Sequence, residues 1–174
     1  MFHFTLNKEG SVPADEFKEL MMKYRWVGFD LDSTLAYNKG FKGWSHIGEP
    51  IKPMIDLAKK YIEMGVKVKV FTARASPESL GCSKIKFEQL EKVIQDWTEK
   101  HIGQRLEVID HKDAFMIKSY DDSIVQVVPN TGEILGGARA ETFKKVFSKE
   151  ELEKDMQKGT EKATEALMSL MPQM

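Results

Sequence analysis

The sequence predicts an α/β fold, in which a mainly parallel central sheet lies between helices in a three-layer, Rossmann-like arrangement. Short apolar segments alternate along the chain with longer amphipathic stretches, which is typical of βαβ units with right-handed crossovers. Acidic side chains stand directly after two of the apolar segments. Because ligands bind such sheets at the carboxyl ends of the strands, these acids are the first candidates for a functional site.

Four apolar segments are expected to form the strands. The first ends in acids and has the composition of a buried strand that delivers side chains to a site. In the second, VKVKVF, the alternate lysines indicate a face that is partly open or covered by the lysine stems. A fifth short apolar run precedes a turn that we expect at residues 129–132. The four strands are expected at residues 26–31, 66–71, 105–109 and 115–120, and the fifth run is 124–128.

Apolar residues at helical spacing predict four helices. Ser11 and Pro13 are candidate start signals for the first, and Ser148 with Glu151 makes a capping box at the start of the last. The last helix contains Gly159, which weakens an isolated helix by up to about 1 kcal/mol, so packing must compensate. The four helices are expected at residues 11–24, 50–64, 84–101 and 148–170.

Two segments lack a clean period and are expected to be loops. Residues 35–48 contain three glycines and are interpreted as a flap, and residues 75–83 as a polar loop. We find no internal repeat and no low-complexity linker, and 174 residues suit a domain with one core. The sequence therefore predicts a single domain over residues 1–174.

Bulk composition limits the classes of partner. The formal net charge of −1 gives no general affinity for nucleic acid or anionic membrane, although a local basic patch stays open. The one cysteine, Cys82, forms no internal disulfide and is typical of a reducing compartment. No apolar run approaches the roughly 20 residues that span a bilayer, and residues 1–10 do not resemble a signal peptide. We therefore expect a cytoplasmic protein without a membrane partner.

Acidic and hydroxyl residues follow the predicted strands in a definite order. Asp30 and Asp32 come after the first strand in DLDST, Thr72 follows the second, and Asp121 and Asp122 follow the fourth. Like charges placed together raise each other's pKa unless a cation intervenes, and a hard divalent ion such as Mg²⁺ is the natural one. Each feature alone is typical of a turn or a helix cap. The order of the whole set is what points to a site.

Together these residues resemble the four motifs of the haloacid dehalogenase superfamily of phosphatases. GFDLDSTLA is similar to its first motif, VFTAR to its second and SYDDS to its fourth, although serine stands at position 33, where glycine is commoner. HIGEPIKPM and KDAFMIKSYDDSIVQVVPNTG also resemble stretches of small bacterial and phage members. The similarity extends from about residue 26 to residue 132. It implies the fold, the chemistry and the cofactor of that superfamily.

Three lysines compete for the role of the third motif. Lys112 lies nine positions before Asp121, a short spacing that compact members share, and it is our assignment. Lys118 lies inside the fourth predicted strand and is the main alternative, because it can point toward either face. Lys84, in a loop or at a helix start, is a weaker alternative.

The resemblance implies a phosphohydrolase that works through a phosphoryl-aspartate. Asp30 would attack phosphorus, and Asp32 would protonate the leaving oxygen and then activate water. Thr72 would hold a phosphate oxygen, and Lys112 would balance the negative charge. Mg²⁺ would bridge the nucleophile and the phosphate, and Asp122 would act through water or by orienting its neighbour. The expected metal ligands are Asp30, Asp32 (through its backbone carbonyl), Asp121 and Asp122.

Substrate selection is expected from residues around an open site. The flap is too short for a folded cap domain, and members of the superfamily without a cap often act on macromolecules or borrow a neighbouring subunit as a lid. Arg74 would bind a second phosphate or a substrate carboxylate through its fork, or form only an ion pair. Trp44 would stack on a nucleobase beside the flap lysines, or pack as a hydrophobic hinge. The candidate substrate-binding residues are Thr34, Arg74 and Trp44, and the expected partner is a nucleotide or a nucleic-acid-end phosphate.

Two other functions stay open. The first is a phosphatase for a small sugar or metabolite phosphate. The second is a non-catalytic binding protein that keeps the fold, which the intact carboxylates disfavour because buried acids without a metal are costly. The apolar stripe of the last helix would pack on its own chain or form a dimer contact, so a monomer or a homodimer is expected.

Overall fold

The centre of the molecule is a sheet of four parallel strands. The computed structural model describes residues 13–40, 42–83, 85–132 and 148–170, without the side chains of residues 83, 155 and 162–170. The strands are β1 (Trp26–Phe29), β2 (Lys67–Phe71), β3 (Glu107–Ile109) and β4 (Met116–Tyr120). Their order is β3-β2-β1-β4. The α/β class and all four predicted strands are confirmed, each strand being shorter than predicted at one end.

Five α-helices are found within the described residues, and four of them were expected from the sequence. They are α1 (Ala14–Tyr24), α2 (Lys52–Glu63), α3 (Pro77–Ser83), α4 (Phe87–Ile102) and α5 (Lys149–Leu170), with a 3₁₀ turn at Ala73–Ala75. Ser11, the candidate cap of the first helix, lies outside the described residues. The capping box of α5 is present: Ser148 and Glu151 each accept a hydrogen bond from the other's backbone amide, at 3.2 and 2.9 Å. Among the described residues, no helix combines the length and apolar character needed to cross a membrane.

Helix α3 contradicts the polar loop predicted at residues 75–83. The Ser79 amide donates to the Ser76 hydroxyl oxygen at 3.2 Å, as at a helix start, and Pro77 occupies the first helical position. Leu80 is the one large apolar residue in this short helix. A helical period was therefore too weak to detect, and the start signals alone marked the helix.

The two faces of the sheet differ in chemistry. On one face, Phe29 meets the ring of Tyr61 from α2 edge-on at 6.2 Å, within the main apolar core. On the other face, Lys69 is 7 % exposed and lies 4.6 Å from the ring centre of Trp26, with an ion pair to Glu107 at 3.1 Å. The Lys69 stem thus covers part of this second face, which is one of the two alternatives that the lysines of β2 left open.

Helix α5 packs closely on β4 through Gly159. A Cβ added there would lie 3.2 Å from the carbonyl oxygen of Ile117, so a larger residue would require a local shift of a few tenths of an ångström. Leu152 and Met156 are buried in the core, so this part of the apolar stripe packs on its own chain. The rest of the stripe lies outside the described side chains: Ala163, Leu167 and Leu170.

The connection from β3 to β4 creates a switch point in the sheet. The chain runs outward from β1 through β2 to β3 and then returns to place β4 on the other side of β1. In open parallel sheets, ligands bind beyond the carboxyl ends of the strands at such a point. The fifth apolar run forms no strand of this sheet, and Ile124, Val125 and Val127 are exposed. The predicted turn follows it, where the Thr131 amide donates to the Val128 carbonyl at 3.3 Å.

Candidate active site

The residues that follow the strands meet at one edge of the sheet. Phe29 and Tyr120 are register partners, and the Asp30 amide donates to the Tyr120 carbonyl oxygen at 2.8 Å. The Thr72 amide donates to the Ile109 carbonyl oxygen at 2.9 Å. A cavity of about 390 Å³, the strand-end cavity, lies at this edge. Six of the predicted site residues line it: Asp30, Asp32, Thr72, Arg74, Asp121 and Asp122.

A tight turn after β1 presents the carboxylates of DLDST to this cavity. Leu31 and Leu35 anchor the turn in the core, and the Ala36 amide donates to the Leu31 carbonyl at 2.8 Å. Ser33 has a φ of 66°, a left-handed conformation that costs a non-glycine residue about 1–2 kcal/mol. Thr34 is buried and does not line the cavity. The structure therefore places Thr34 within the supporting turn.

Burial raises the pKa of Asp30 to about 7, because desolvation disfavours the charged carboxylate. A hydrogen bond from the Leu31 backbone acts in the opposite direction. The nearby carboxylates of Asp121, Asp32 and Asp122 raise the pKa further by repulsion. A cation among these groups would favour the ionised form of Asp30.

Arg74 joins Asp32 to the flap. Its Nε and Nη2 donate to the two carboxylate oxygens of Asp32, both at 2.6 Å, in a bidentate ion pair. Its Nη1 donates to the backbone carbonyls of Trp44 and His46, at 2.8 and 2.9 Å. The Arg74 amide donates to the Thr72 hydroxyl oxygen at 3.3 Å, which starts the 3₁₀ turn. The structure thus gives Arg74 an ion pair, and the partner is the proposed acid-base residue itself.

Neither described candidate for the motif lysine lines the strand-end cavity. Lys112 is exposed on the loop between β3 and β4, two positions after Asp110, which does line it. Lys118 lies in β4, where it is the register partner of Val27 in β1, and it lines a separate small gap. Burial lowers the pKa of Lys118. Lys84 lies outside the described residues.

The base of the flap is fixed by backbone contacts. The Tyr37 amide donates to the Glu49 carbonyl at 2.8 Å. Gly48 passes so close to Tyr37 that an added Cβ would lie 1.9 Å from its carbonyl oxygen, so only glycine fits. Trp97 of α4 donates from Nε1 to the Gly48 carbonyl at 3.0 Å. With Arg74, these contacts hold the flap at its base and near its middle.

A second cavity of about 480 Å³, the flap cavity, adjoins the first. Both cavities are lined by Asp32, Asn38 and Arg74, so they are continuous. The half-buried Trp44, which the sequence predicts for stacking, lines neither. Four flap side chains in its walls can contact an anionic or planar group: Tyr37, Lys39, Lys42 and His46.

Six of the residues that line the strand-end cavity are absent from the set predicted by sequence, among them Asp110 and Asn38. Asp110 follows β3 directly, the position that the motif carboxylates occupy after their own strands, and this was the available signal. Its Oδ1 lies 2.8 Å from a ring nitrogen of His111. Asn38 reaches the cavity from the flap and accepts a hydrogen bond from the Gly40 amide at 3.0 Å. No pattern in the sequence marks Asn38, because its position depends on the fold of the flap.

The donor set suits a hard cation. Within the described residues, no three His, Cys, Asp or Glu side chains converge into a ready-made metal site. Mg²⁺ is usually bound by one or two carboxylates, with water and substrate phosphate as the other ligands. Asp30 and Asp121, which follow the adjacent strands β1 and β4, fit this requirement.

Comparisons with known protein families, with characterised proteins and with solved structures found no match for this chain. Its own fold and cavities define a class of protein. It is an α/β protein with a Rossmann-like parallel sheet, and carboxylates and a threonine hydroxyl line the cavity at the switch point.

Proposed function

We propose that the protein is a Mg²⁺-dependent phosphohydrolase with the three-layer fold of the haloacid dehalogenase superfamily. Its reaction would proceed through a phosphoryl-aspartate intermediate at Asp30. The observation that carries the proposal is the meeting of Asp30, Thr72 and Asp121 in one cavity at the switch point of the sheet. The order of these residues along the chain supports it, since it resembles the motifs of that superfamily.

The proposed metal ligands are Asp30 and Asp121, with the backbone carbonyl of Asp32. Asp122 would act through water or by orienting Asp121. When bound, Mg²⁺ supplies positive charge that offsets the charge of the transferring phosphoryl group. Beside that charge Asp30 would be ionised at neutral pH, because the cation opposes the burial that raises its pKa.

In the first step Asp30 attacks phosphorus. A bond forms between one carboxylate oxygen and phosphorus, and the bond from phosphorus to the leaving oxygen breaks. Asp32, which lines both cavities, gives the leaving oxygen a proton. The Thr72 oxygen already accepts from the Arg74 amide, so its hydroxyl proton is available for a phosphoryl oxygen.

In the second step water cleaves the phosphoryl-aspartate. Asp32 accepts a proton from water as water attacks phosphorus, and phosphate leaves with Asp30 regenerated. One carboxyl group serves both steps because the second reverses the proton demand of the first. The side chain of Asp32 is 26 % exposed, so water reaches it.

Lys112 is the proposed source of the remaining positive charge. Of the described residues that line the strand-end cavity, Arg74 is the one basic side chain, and Asp32 engages it. The loop that carries Lys112 begins at Asp110, in the wall of that cavity. We propose that Lys112 closes on the phosphoryl group when substrate binds.

The proposed substrate is a nucleotide or a polynucleotide-end phosphate. The basic and aromatic walls of the flap cavity favour it, since such walls bind phosphates and stack on bases. A sugar or metabolite phosphate without a second anionic group would leave the two flap lysines, Lys39 and Lys42, without a ligand. It is therefore the less favoured alternative.

Hydrolysis of an aryl phosphate by the full chain tests the proposal. We expect turnover to require Mg²⁺, to stop with chelator and to disappear in Asp30→Asn, whose amide cannot attack phosphorus. Asp15→Asn, the same change on the exposed surface of α1, is the matched control and should keep wild-type turnover. Turnover by a correctly folded Asp30→Asn protein would contradict the mechanism. A failure to hydrolyse any phosphoester would favour a binding protein.

A further inference from the structure

We infer that the flap cavity binds the leaving group of the substrate, and that this leaving group carries a second anionic group and a planar ring. A nucleoside bisphosphate and the end of a nucleic acid strand both have this chemistry. This assignment rests on the proposed function, because only a nucleophile at Asp30 gives the substrate a leaving side. Four features of the described residues support it: location, charge, the Arg74 contacts and an exposed aromatic ring.

The location of Asp32 decides which cavity receives the leaving group. Asp32 lines both cavities, whereas Asp30 lines only the strand-end cavity. A phosphoryl group in contact with Asp30 directs its ester oxygen toward Asp32 and the rest of the substrate into the flap cavity. The volume of about 480 Å³ lies within the range of about 300–1,000 Å³ that is typical of small-molecule sites.

The charge of the flap cavity is opposite to that of the strand-end cavity. Lys39 and Lys42 line it together with Glu49, and the charge of Asp32 is already balanced by Arg74. In the part of the chain that the structure describes, neither lysine forms an ion pair with a carboxylate. These walls favour a leaving group that is itself anionic.

The Arg74 contacts link recognition of that anion to catalysis. The guanidinium fork fits a phosphate as well as a carboxylate. A second phosphate in the flap cavity therefore competes with the Asp32 carboxylate for Nε and Nη2 of Arg74, which donate to that carboxylate at 2.6 Å. Asp32 is less available to the leaving oxygen while Arg74 donates to both of its own oxygens. A substrate that draws Arg74 away makes Asp32 available for proton transfer.

Tyr37 supplies the planar surface. Tyr37 is 56 % exposed and lines the flap cavity, its backbone amide donates to the Glu49 carbonyl, and Gly48 lies against its carbonyl oxygen. An exposed aromatic ring on a fixed backbone, with lysines beside it, is an arrangement on which nucleobases stack. Trp44 lines neither cavity, so we assign the stacking contact to Tyr37 in its place.

Substrates that differ only in the second phosphate test the charge requirement. We expect kcat/KM for adenosine 3′,5′-bisphosphate to exceed that of either monophosphate by at least about tenfold, and Lys39→Gln/Lys42→Gln to lose most of that ratio. Lys18→Gln/Lys100→Gln neutralises two exposed lysines on α1 and α4 and should keep the ratio. An equal ratio in both double variants, with aryl phosphate still hydrolysed, would overturn the inference and leave the proposed function intact.

Binding of adenosine 5′-monophosphate gives a readout that needs no turnover. This nucleotide is the leaving group that remains when the 3′-phosphate is removed from the bisphosphate. Calorimetry on the full chain should give an affinity that falls about tenfold in Lys39→Gln/Lys42→Gln and in Tyr37→Ala, with Tyr37→Phe close to wild type. These dependences in a protein that hydrolyses no phosphoester would defeat the proposed function and the leaving-group role, and would support only the recognition of an anionic, planar ligand by the flap cavity. Absence of binding, or equal affinity for ribose 5-phosphate, would overturn the inference.

Discussion

The strand-end cavity and the flap cavity meet at Asp32 but are held in different ways. In the strand-end cavity, Asp30 and Thr72 follow strands whose backbone hydrogen bonds fix them, and carboxylates predominate. The flap cavity takes its basic walls from an exposed loop, which is anchored at its base and through Arg74. Under the proposed function, the sheet would position the groups for phosphoryl chemistry and the loop would select the leaving group. Substitutions in the two regions should therefore have separable effects.

The largest effect on activity is expected from substitution of a proposed metal ligand in the strand-end cavity. Asp121→Ala should raise the Mg²⁺ concentration for half-maximal turnover by about 100-fold or more, because loss of a supporting residue alone typically costs about 10–100-fold in metal affinity. Asp122→Ala should have a smaller effect. Titration of activity with Mg²⁺ checks both. An unchanged Mg²⁺ requirement in Asp121→Ala, or full activity restored by zinc alone, would contradict the proposed Mg²⁺ site in this cavity.

The two lysines test how the acidic cavity obtains its missing positive charge. Lys112→Ala should lower kcat/KM by about 100-fold, the cost typical of losing one group that stabilises a transition state. Lys118→Met, which keeps the packing of the half-buried stem in β4, should lose far less activity. Kinetics of both purified variants, with melting curves as the control for folding, decide between them. The reverse ranking would transfer the role to Lys118.

The acidic cavity should also make the metal-free protein sensitive to pH. Asp30 ionises near 3.8 in the unfolded chain and at about 7 in the fold. Its contribution to stability is therefore complete below about pH 4 and lost as pH rises to about 7. In the presence of chelator, the free energy of unfolding of the wild-type protein should fall by up to a few kcal/mol relative to that of Asp30→Asn between these pH values. The conversion is about 1.4 kcal/mol per pKa unit.

Denaturant unfolding of the two proteins at several pH values measures this difference. Mg²⁺ should restore much of the loss at pH 7 and above in wild type alone, because a bound ligand stabilises the fold. A difference between the proteins that stays constant from pH 4 to pH 7 would contradict the buried charge at Asp30.

The smallest effect is expected at the turn that joins the two regions. Ser33→Gly should stabilise the protein by about 1 kcal/mol, because glycine adopts a positive φ without steric cost. For a chain of this size the melting temperature should rise by about 2–4 °C. Ser45→Gly, at a flap position without a positive φ, is the control and should not stabilise. Equal shifts in both variants would exclude strain at Ser33.

The strand-end cavity was largely predictable from the sequence, and the flap cavity was not. Parallel strands end at one edge, so carboxylates after β1 and β4 had to lie near each other once the apolar segments were recognised. The bidentate pair between Arg74 and Asp32 joins residues far apart in the chain, and no local pattern marks such a contact. The flap has no period, so nothing in its sequence distinguished Tyr37 from Trp44 as the residue in the cavity wall.

Phosphorylation of Asp30 during turnover is the most direct test of the account. The full chain is quenched in acid while it hydrolyses an aryl phosphate, and its peptides are examined by mass spectrometry. We expect one phosphoryl group on the peptide that contains Asp30, and more of it in Asp32→Asn, because this variant cannot activate water for the second step. Asp30→Asn should carry none. A phosphoryl group on another residue, or an enzyme that turns over without forming one, would contradict the assignment of Asp30 as the nucleophile.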